Sequence, residues 1–256
     1  MTQEEKRIYL IKYLLAEDST FRKYEPETMS MQEQKDLLRS LMNIRMPAPL
    51  SEEFIRIQDE YLKQEIADKG ITDIADLNSI ENGIYLWQGD ITTLKCDAIV
   101  NAANSQLLGC FHPLHNCIDN CIHTYAGIQL RNKCSELMKK QGYEEPTGRA
   151  KITLAFNLPC KYVIHTVGPI VNVNLTDEHR KLLKSCYLSC LKIAEENGLK
   201  SIAFCCISTG VFGIPKKDAA KIAVDTVREF KKQSDIKVIF NVFKDEDRII
   251  YENLLG

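Results

Sequence analysis

Residues 97–105 read DAIVNAANS and residues 201–213 read SIAFCCISTGVFG. Each opens as a short apolar, strand-like run, over 98–101 and 201–207, and then breaks into small polar residues. In sheets whose strands alternate with helices, ligands bind beyond the carboxyl ends of the strands, which is where both breaks fall. Four further runs read as strands, at 84–87, 152–154, 162–166 and 237–242. Amphipathic stretches near 116–125, 127–141, 178–197, 216–232 and 246–255 read as helices. This alternation predicts an α/β domain with a mixed or mostly parallel sheet covered by helices on both faces.

Residues 1 to about 78 follow a different pattern. Ile8, Leu10, Ile11, Leu14 and Leu15 share one helical face. Ser30 with Glu33 forms a capping-box pattern ahead of Leu37, Leu38, Leu41 and Met42. Pro47 and Pro49 stop that helix. Ser51, followed by Glu52 and Glu53, opens a third helix carrying Phe54, Ile57, Tyr61 and Leu62, and Gly70 ends it. No cluster in this stretch suggests chemistry. The expected division is a helical extension over 1–78, read as an appendage, and an α/β domain over 79–256.

The bulk numbers exclude several classes. A net charge of −2 over 256 residues offers no basic field for long nucleic acid. No apolar run reaches the length of a membrane span. The amino-terminal MTQEEKRIYLIKYLLAED is charged and amphipathic and lacks the order of a secretory signal, so a cytoplasmic protein is expected. Of the ten cysteines, Cys186, Cys190, Cys205 and Cys206 sit in apolar stretches and read as small buried hydrophobes.

The loop Ser208-Thr209-Gly210-Val211-Phe212-Gly213 has the makings of a diphosphate cradle. Gly210 and Gly213 let backbone amides turn inward around an anion, and the helix after Pro215 adds its positive end. An ordinary Gly-rich strand-to-helix turn has the same spacing. Neither this loop nor Asn101-Ala102-Ala103-Asn104-Ser105 is a dinucleotide fingerprint or a P-loop. Asp90, in Gly89-Asp90-Ile91-Thr92, can accept from an adenine amino group or cap a turn through Thr92. Phe243, just past the last strand, can stack on a base or fill the core.

These words in this order resemble a macrodomain. The matching pieces are Gly89-Asp90-Ile91-Thr92, the run from Asp97 to Asn104, Ile122-His123 with Ala126-Gly127, the run from Tyr162 to Pro169, and the run from Ser208 to Gly213. The resemblance covers residues 80 to 256. It implies a three-layer α/β/α fold that binds ADP-ribose. Asp90 and Ile91 then fall at the adenine with Phe243 beside it. Ser208, Thr209, Gly210, Val211 and Phe212 fall at the diphosphate, and Asn101 and Asn104 near the distal ribose.

One segment departs from the common pattern. Where most catalytic macrodomains carry glycines before the aspartate that is here Asp119, this chain reads GCFHPLHNCIDN over 109–120. Cys110, His115 and Cys117 form a C-x4-H-x-C spacing, and thiolate with imidazole favours zinc. Residues two apart share no helical face, so His115 and Cys117 converge only in a loop or at a helix start. Three ligands leave one open position; His112 as a fourth would close the site. Asp119 and Asn120 look better aimed at ligand than Cys121, which reads as core, and His123 and His165 read as structural.

The chain also resembles a zinc-containing microbial subgroup of macrodomains with a helical amino-terminal extension, associated with a sirtuin-type ADP-ribosyltransferase and a lipoylated carrier protein. That implies a zinc-dependent hydrolase removing mono-ADP-ribose from Asp or Glu side chains, with Asn104 and Asp119 as catalytic residues. Two alternatives stay open: an ADP-ribose reader with structural zinc, and a deacetylase of O-acetyl-ADP-ribose.

Overall fold

A computed structural model describes residues 1–18, 20 and 24–256 of the chain. Its first three helices are α1 (Gln3–Glu17), α2 (Met31–Ile44) and α3 (Glu52–Lys69). The predicted caps are present. Ser30 and Glu33 exchange both bonds of a capping box, Ser51 accepts the Phe54 amide, and Gly70 ends α3 at a φ of 87°. The three helices bury Leu10, Ile11, Leu14, Leu38, Leu41, Phe54, Ile57 and Leu62 against one another.

Two short strands, β1 (Thr72–Asp73) and β3 (Leu94–Lys95), pair beside the main sheet. The main strands are β2 (Ile84–Gln88), β4 (Ala98–Ala103), β5 (Ala150–Leu154), β6 (Tyr162–Val167), β7 (Ser201–Phe204) and β8 (Lys237–Val242). Their order is β2-β8-β7-β4-β6-β5, all parallel except β5, which runs antiparallel at the edge. Helices α4 (Ile118–Ala126) and α5 (Ile128–Gln141) pack on one side, and α6 (Asp177–Glu196), α7 (Lys216–Lys231) and α8 (Asp245–Leu255) on the other. Burial on both faces explains why the central strands are continuously apolar rather than alternating. Among the described residues no helix is long and apolar enough to cross a membrane.

One expected strand is shortened. The run 201–207 stops as a strand at Phe204. The chain turns there because the Cys206 carbonyl accepts the Thr209 hydroxyl at 3.0 Å. Nor is the extension merely attached. Ile66 of α3 lies in the core of the α/β unit, and Ile128 of α5 lies in the helical cluster.

Asp97 sets the register at the amino ends of three central strands. Its carboxylate accepts the amides of Lys200 at 2.7 Å and Ser201 at 3.1 Å, leading into β7. Its carbonyl accepts the amides of Lys161 and Tyr162 at β6. Burial opposes ionisation of Asp97, but Lys161 and the two amides outweigh it and lower its pKa. The Lys161 ammonium is mostly exposed and contributes little, so the amides carry the effect. Asp97→Ala is expected to cost about 1–3 kcal/mol of stability. Urea unfolding checks this: the midpoint falls while the slope with denaturant is unchanged.

Candidate active site

The carboxyl ends of β2, β4, β6, β7 and β8 open on one edge of the sheet, and most of the residues singled out from the sequence gather there. Cys110 and His115 lie in the loop between β4 and α4. Cys117 is the N-cap of α4, its thiol accepting the Asn120 amide at 3.4 Å. The Cys110 Sγ lies 3.5 Å from the His115 Nδ1, and the three ligand atoms all lie within 4.8 Å of one another. Tetrahedral zinc, with bonds to N and S of 2.0–2.3 Å, holds its ligands about 3.3–3.8 Å apart. The triad therefore fits zinc with a small closure of the loop. Burial, opposed by the Asn120 amide and reinforced by Cys110, raises the Cys117 thiol to about 12. A cation must displace that proton to use the sulfur. His112 is exposed, faces the Pro113 carbonyl, and does not join the group.

Asp119, in the first turn of α4, is buried directly beside this triad. Asn101 Nδ2 donates to its Oδ1 at 2.8 Å, and Asn104 Nδ2 approaches its Oδ2 at 3.3 Å while also donating to the Gly109 carbonyl at 3.0 Å. Burial raises its pKa to about 6 against the pull of Asn101 and Arg131. Asn101, expected at the ligand, has no exposed surface and meets the site only through Asp119. Asn120, also expected to face ligand, is fully buried. Its Nδ2 donates to the His112 carbonyl at 3.0 Å and approaches the Cys110 carbonyl, so it serves the loop instead. A helix start sends neighbouring side chains in different directions: Asp119 meets Asn101 and Asn104, and Asn120 meets the loop before it. Cys121, read as core, is half-buried within reach of Arg39.

Beneath Asp119 lies a buried group of His123, Cys134 and His165 whose ligand atoms also fall within 4.8 Å of one another. His165 contacts Asn101 through Nδ1 at 3.2 Å and Thr153 through Nε2 at 3.0 Å, and burial lowers its pKa to about 4. These contacts fit a neutral structural histidine. Gly109 sits over the His123 ring at a φ of 79°, and a Cβ there would lie 2.7 Å from the ring.

In the 208–213 loop, the amides of Gly210, Val211 and Phe212 make no hydrogen bond among the described residues. Three successive free amides suit an anion. The glycine argument needs revision. Gly213 has a φ of 75° and leaves no room for a Cβ against the Val171 carbonyl, but Gly210 needs neither freedom nor space. The crowded position is Gly168, where a Cβ would meet the Ser208 hydroxyl, whose oxygen is buried and unpartnered.

Asp90 does cap its turn: Oδ1 accepts the Thr92 amide and hydroxyl, while Oδ2 pairs with Lys69 at 2.9 Å. Ile91 buries its side chain, but its amide is free among the described residues. Phe243 is 74% exposed, which rules out its reading as core. Lys69 also lies 3.5 Å from the centre of the Tyr125 ring. Together with Arg39 of α2, which reaches the 110–117 loop, it brings the extension to the rim of the site. Nothing in the local sequence marks either residue, because their partners lie 21 and 76 positions away.

The Macro domain family pattern matches residues 100–223. A Treponema medium protein named protein-ADP-ribose hydrolase is 57% identical, the match covering 100% of both chains. A Staphylococcus aureus (strain MSSA476) protein of the same name is 51% identical over 85% of this chain and 83% of its own. The crystal structure of a Trypanosoma brucei macrodomain in complex with ADP-ribose superposes with a TM-score of 0.66 at 30% identity, covering 85% of this chain and 95% of the other.

Gly109 and Gly142 separate two costs. Both have positive φ, but a Cβ at Gly142 meets nothing within 4 Å. Each alanine variant should lose about 1 kcal/mol from backbone conformation, and Gly109→Ala about 1–3 kcal/mol more from collision with His123. Paired urea titrations measure the difference; equal losses would contradict the packing described at the site.

Proposed function

The chain belongs to the Macro domain family, and we propose that it is a zinc-dependent hydrolase releasing mono-ADP-ribose from modified proteins. The observation that carries this reading is the convergence of two thiols and an imidazole beside Asp119 and Asn104 on the ligand edge of the sheet. The names of the Treponema and Staphylococcus relatives supply the reaction, and the Trypanosoma complex supplies the ligand. Asp and Glu side chains as attachment points, and a lipoylated carrier protein as substrate, come from the resemblance to the zinc-containing subgroup. All ten cysteines are free thiols, which suits a reducing cytoplasm.

In this reading, Phe243 stacks on the adenine and the Ile91 amide and Asp90 address its edge. Lys69 must then share Asp90 with the base. The free amides of residues 210–212 receive the diphosphate, aided by the positive end of α7. This remote binding fixes the distal ribose over Asp119 and Asn104. Zinc, if held by Cys110, His115 and Cys117, would supply Lewis-acid chemistry beside that sugar. Asp119 cannot swing, because Asn101 and Asn104 hold its two oxygens. It accepts a hydrogen bond from the attacking water or from a ribose hydroxyl and so fixes the line of approach. Hydrolysis breaks the bond between C1 of the distal ribose and the carboxylate oxygen. Water gives its hydroxyl to C1 and a proton to solvent or to the freed carboxylate.

Cys110→Ala, His115→Ala and Cys117→Ala should each lower turnover on carboxylate-modified protein by at least about 100-fold. Their affinity for free ADP-ribose should stay within about tenfold, since the adenine and diphosphate contacts remain. Metal analysis should show zinc in the parent and its loss in the variants. Full turnover in a demetallated variant contradicts the zinc reading. A parent that binds ADP-ribose but leaves modified protein intact is a reader, and one that cleaves only an acetyl ester of ADP-ribose acts on a metabolite.

A further inference from the structure

The metal loop has little structure of its own. Within 110–117, its internal backbone hydrogen bonding is a turn from the His115 amide to the His112 carbonyl at 3.2 Å. Leu114 holds a φ of 57°, a left-handed conformation that a leucine adopts only when its surroundings impose it. The loop must nonetheless place three ligand atoms to within a fraction of an ångström for a metal to bind well. Much of what shapes it lies outside the loop, in α2 of the extension.

Two side chains of α2 reach it. Arg39 Nη2 donates to the His115 carbonyl at 2.8 Å and to Asn120 Oδ1 at 3.1 Å, with the Asn116 side chain at 3.3 Å and the Cys121 sulfur at 3.8 Å. Asn43, which is 1% exposed, accepts the Leu114 amide through Oδ1 at 3.1 Å and donates through Nδ2 to Thr124 at 3.0 Å. Asn43 therefore pins the strained residue, and Arg39 pins the carbonyl of a ligand residue. Arg39 also orients Asn120, whose own side chain and amide hold Cys110, His112 and Cys117.

The other end of the loop is tied to the same helix by Arg131 of α5. Its Nε donates to the Leu108 carbonyl at 2.7 Å, and its Nη1 gathers the carbonyls of Met42, Asn43 and Arg45 at the end of α2. Its guanidinium stacks 4.4 Å from the centre of the Phe111 ring. An open cleft of about 420 Å³, lined in part by Arg39, Tyr61, Lys69 and Tyr125, lies along the seam of α2, α3 and α4. Close apolar packing therefore does not fill this stretch of the seam, and the polar bonds tie α2 to the loop.

We propose that α2 of the extension is the positioning element of the metal centre: Arg39 and Asn43 hold residues 110–117 in the shape that brings Cys110, His115 and Cys117 together. Arg39 touches neither metal nor substrate and acts through the loop. The proposal rests on the zinc reading for its consequence, but the clamp itself is a property of the chain without metal.

The test uses the full-length chain and three variants: Arg39→Ala, Arg39→Lys, and Arg56→Ala as a control in α3 that removes only an exposed pair with Glu60. Zinc affinity is measured by competition with a chromogenic chelator, with circular dichroism confirming the fold. Amide hydrogen exchange over 108–121 is followed on demetallated protein. Arg39→Ala should weaken zinc about 10- to 100-fold, Arg39→Lys should recover part of the loss, and Arg56→Ala should match the parent. Exchange in the loop should quicken in Arg39→Ala while that of the central strands stays unchanged. A folded Arg39→Ala variant with zinc affinity within about twofold of the parent overturns the proposal. So does unchanged loop exchange, whatever the metal does. If the parent takes up no zinc, the zinc reading fails and loop exchange alone decides the clamp.

Discussion

A helix turns about 100° per residue, so consecutive side chains at its start leave in different directions. The first turn of α4 uses that constraint to build the site. Cys117 caps the helix and aims its sulfur at Cys110 and His115. Asp119 turns down onto Asn101 and Asn104, and Asn120 turns back to hold the loop that precedes it. One helical turn thus fixes the two thiols and the imidazole relative to the carboxylate beside them. It is fixed in turn by the sheet, because Asn101 and Asn104 stand at the end of β4 in its center.

The electrostatics follow from the same placement. Asp119 is buried beside Arg131 and above two histidines that burial keeps neutral. Asn101 and Asn104 hold its two oxygens in place, which is the condition for a group that orients a partner. At the far end of the groove the exposed Phe243 and the free amides of 210–212 demand little of the fold. In the proposed function, ligand recognition and chemistry are thus built in different ways. One uses backbone and an exposed ring, and the other a packed polar cluster.

Sequence reading reached the parts of this arrangement that are local. Apolar runs located the strands, the capping residues located the helices of the extension, and the spacing of Cys110, His115 and Cys117 located the cluster. It failed where a side chain's direction depends on distant packing. Asn101 sits in the same word as Asn104, yet Asn101 lies within β4 and is buried while Asn104 lies just past the end of that strand and is half-exposed. Gly210 drew attention and Gly168 did not, because the Ser208 side chain that crowds Gly168 arrives from the turn after β7, 40 positions away. Lys69, Arg39, Asn43 and Arg131 carry no motif at all. Their roles come from partners 21 to 89 positions away, brought together only by the docking of the extension.

The central claim is that one zinc ion joins the loop to α4 next to the sugar being cleaved. Anomalous diffraction at the zinc edge, from crystals grown with ADP-ribose, tests it most directly. The account predicts a single strong peak about 2.0–2.4 Å from Cys110 Sγ, His115 Nδ1 and Cys117 Sγ, facing the distal ribose. A crystal with no peak there, or with the peak in the buried group of His123, Cys134 and His165, would contradict it.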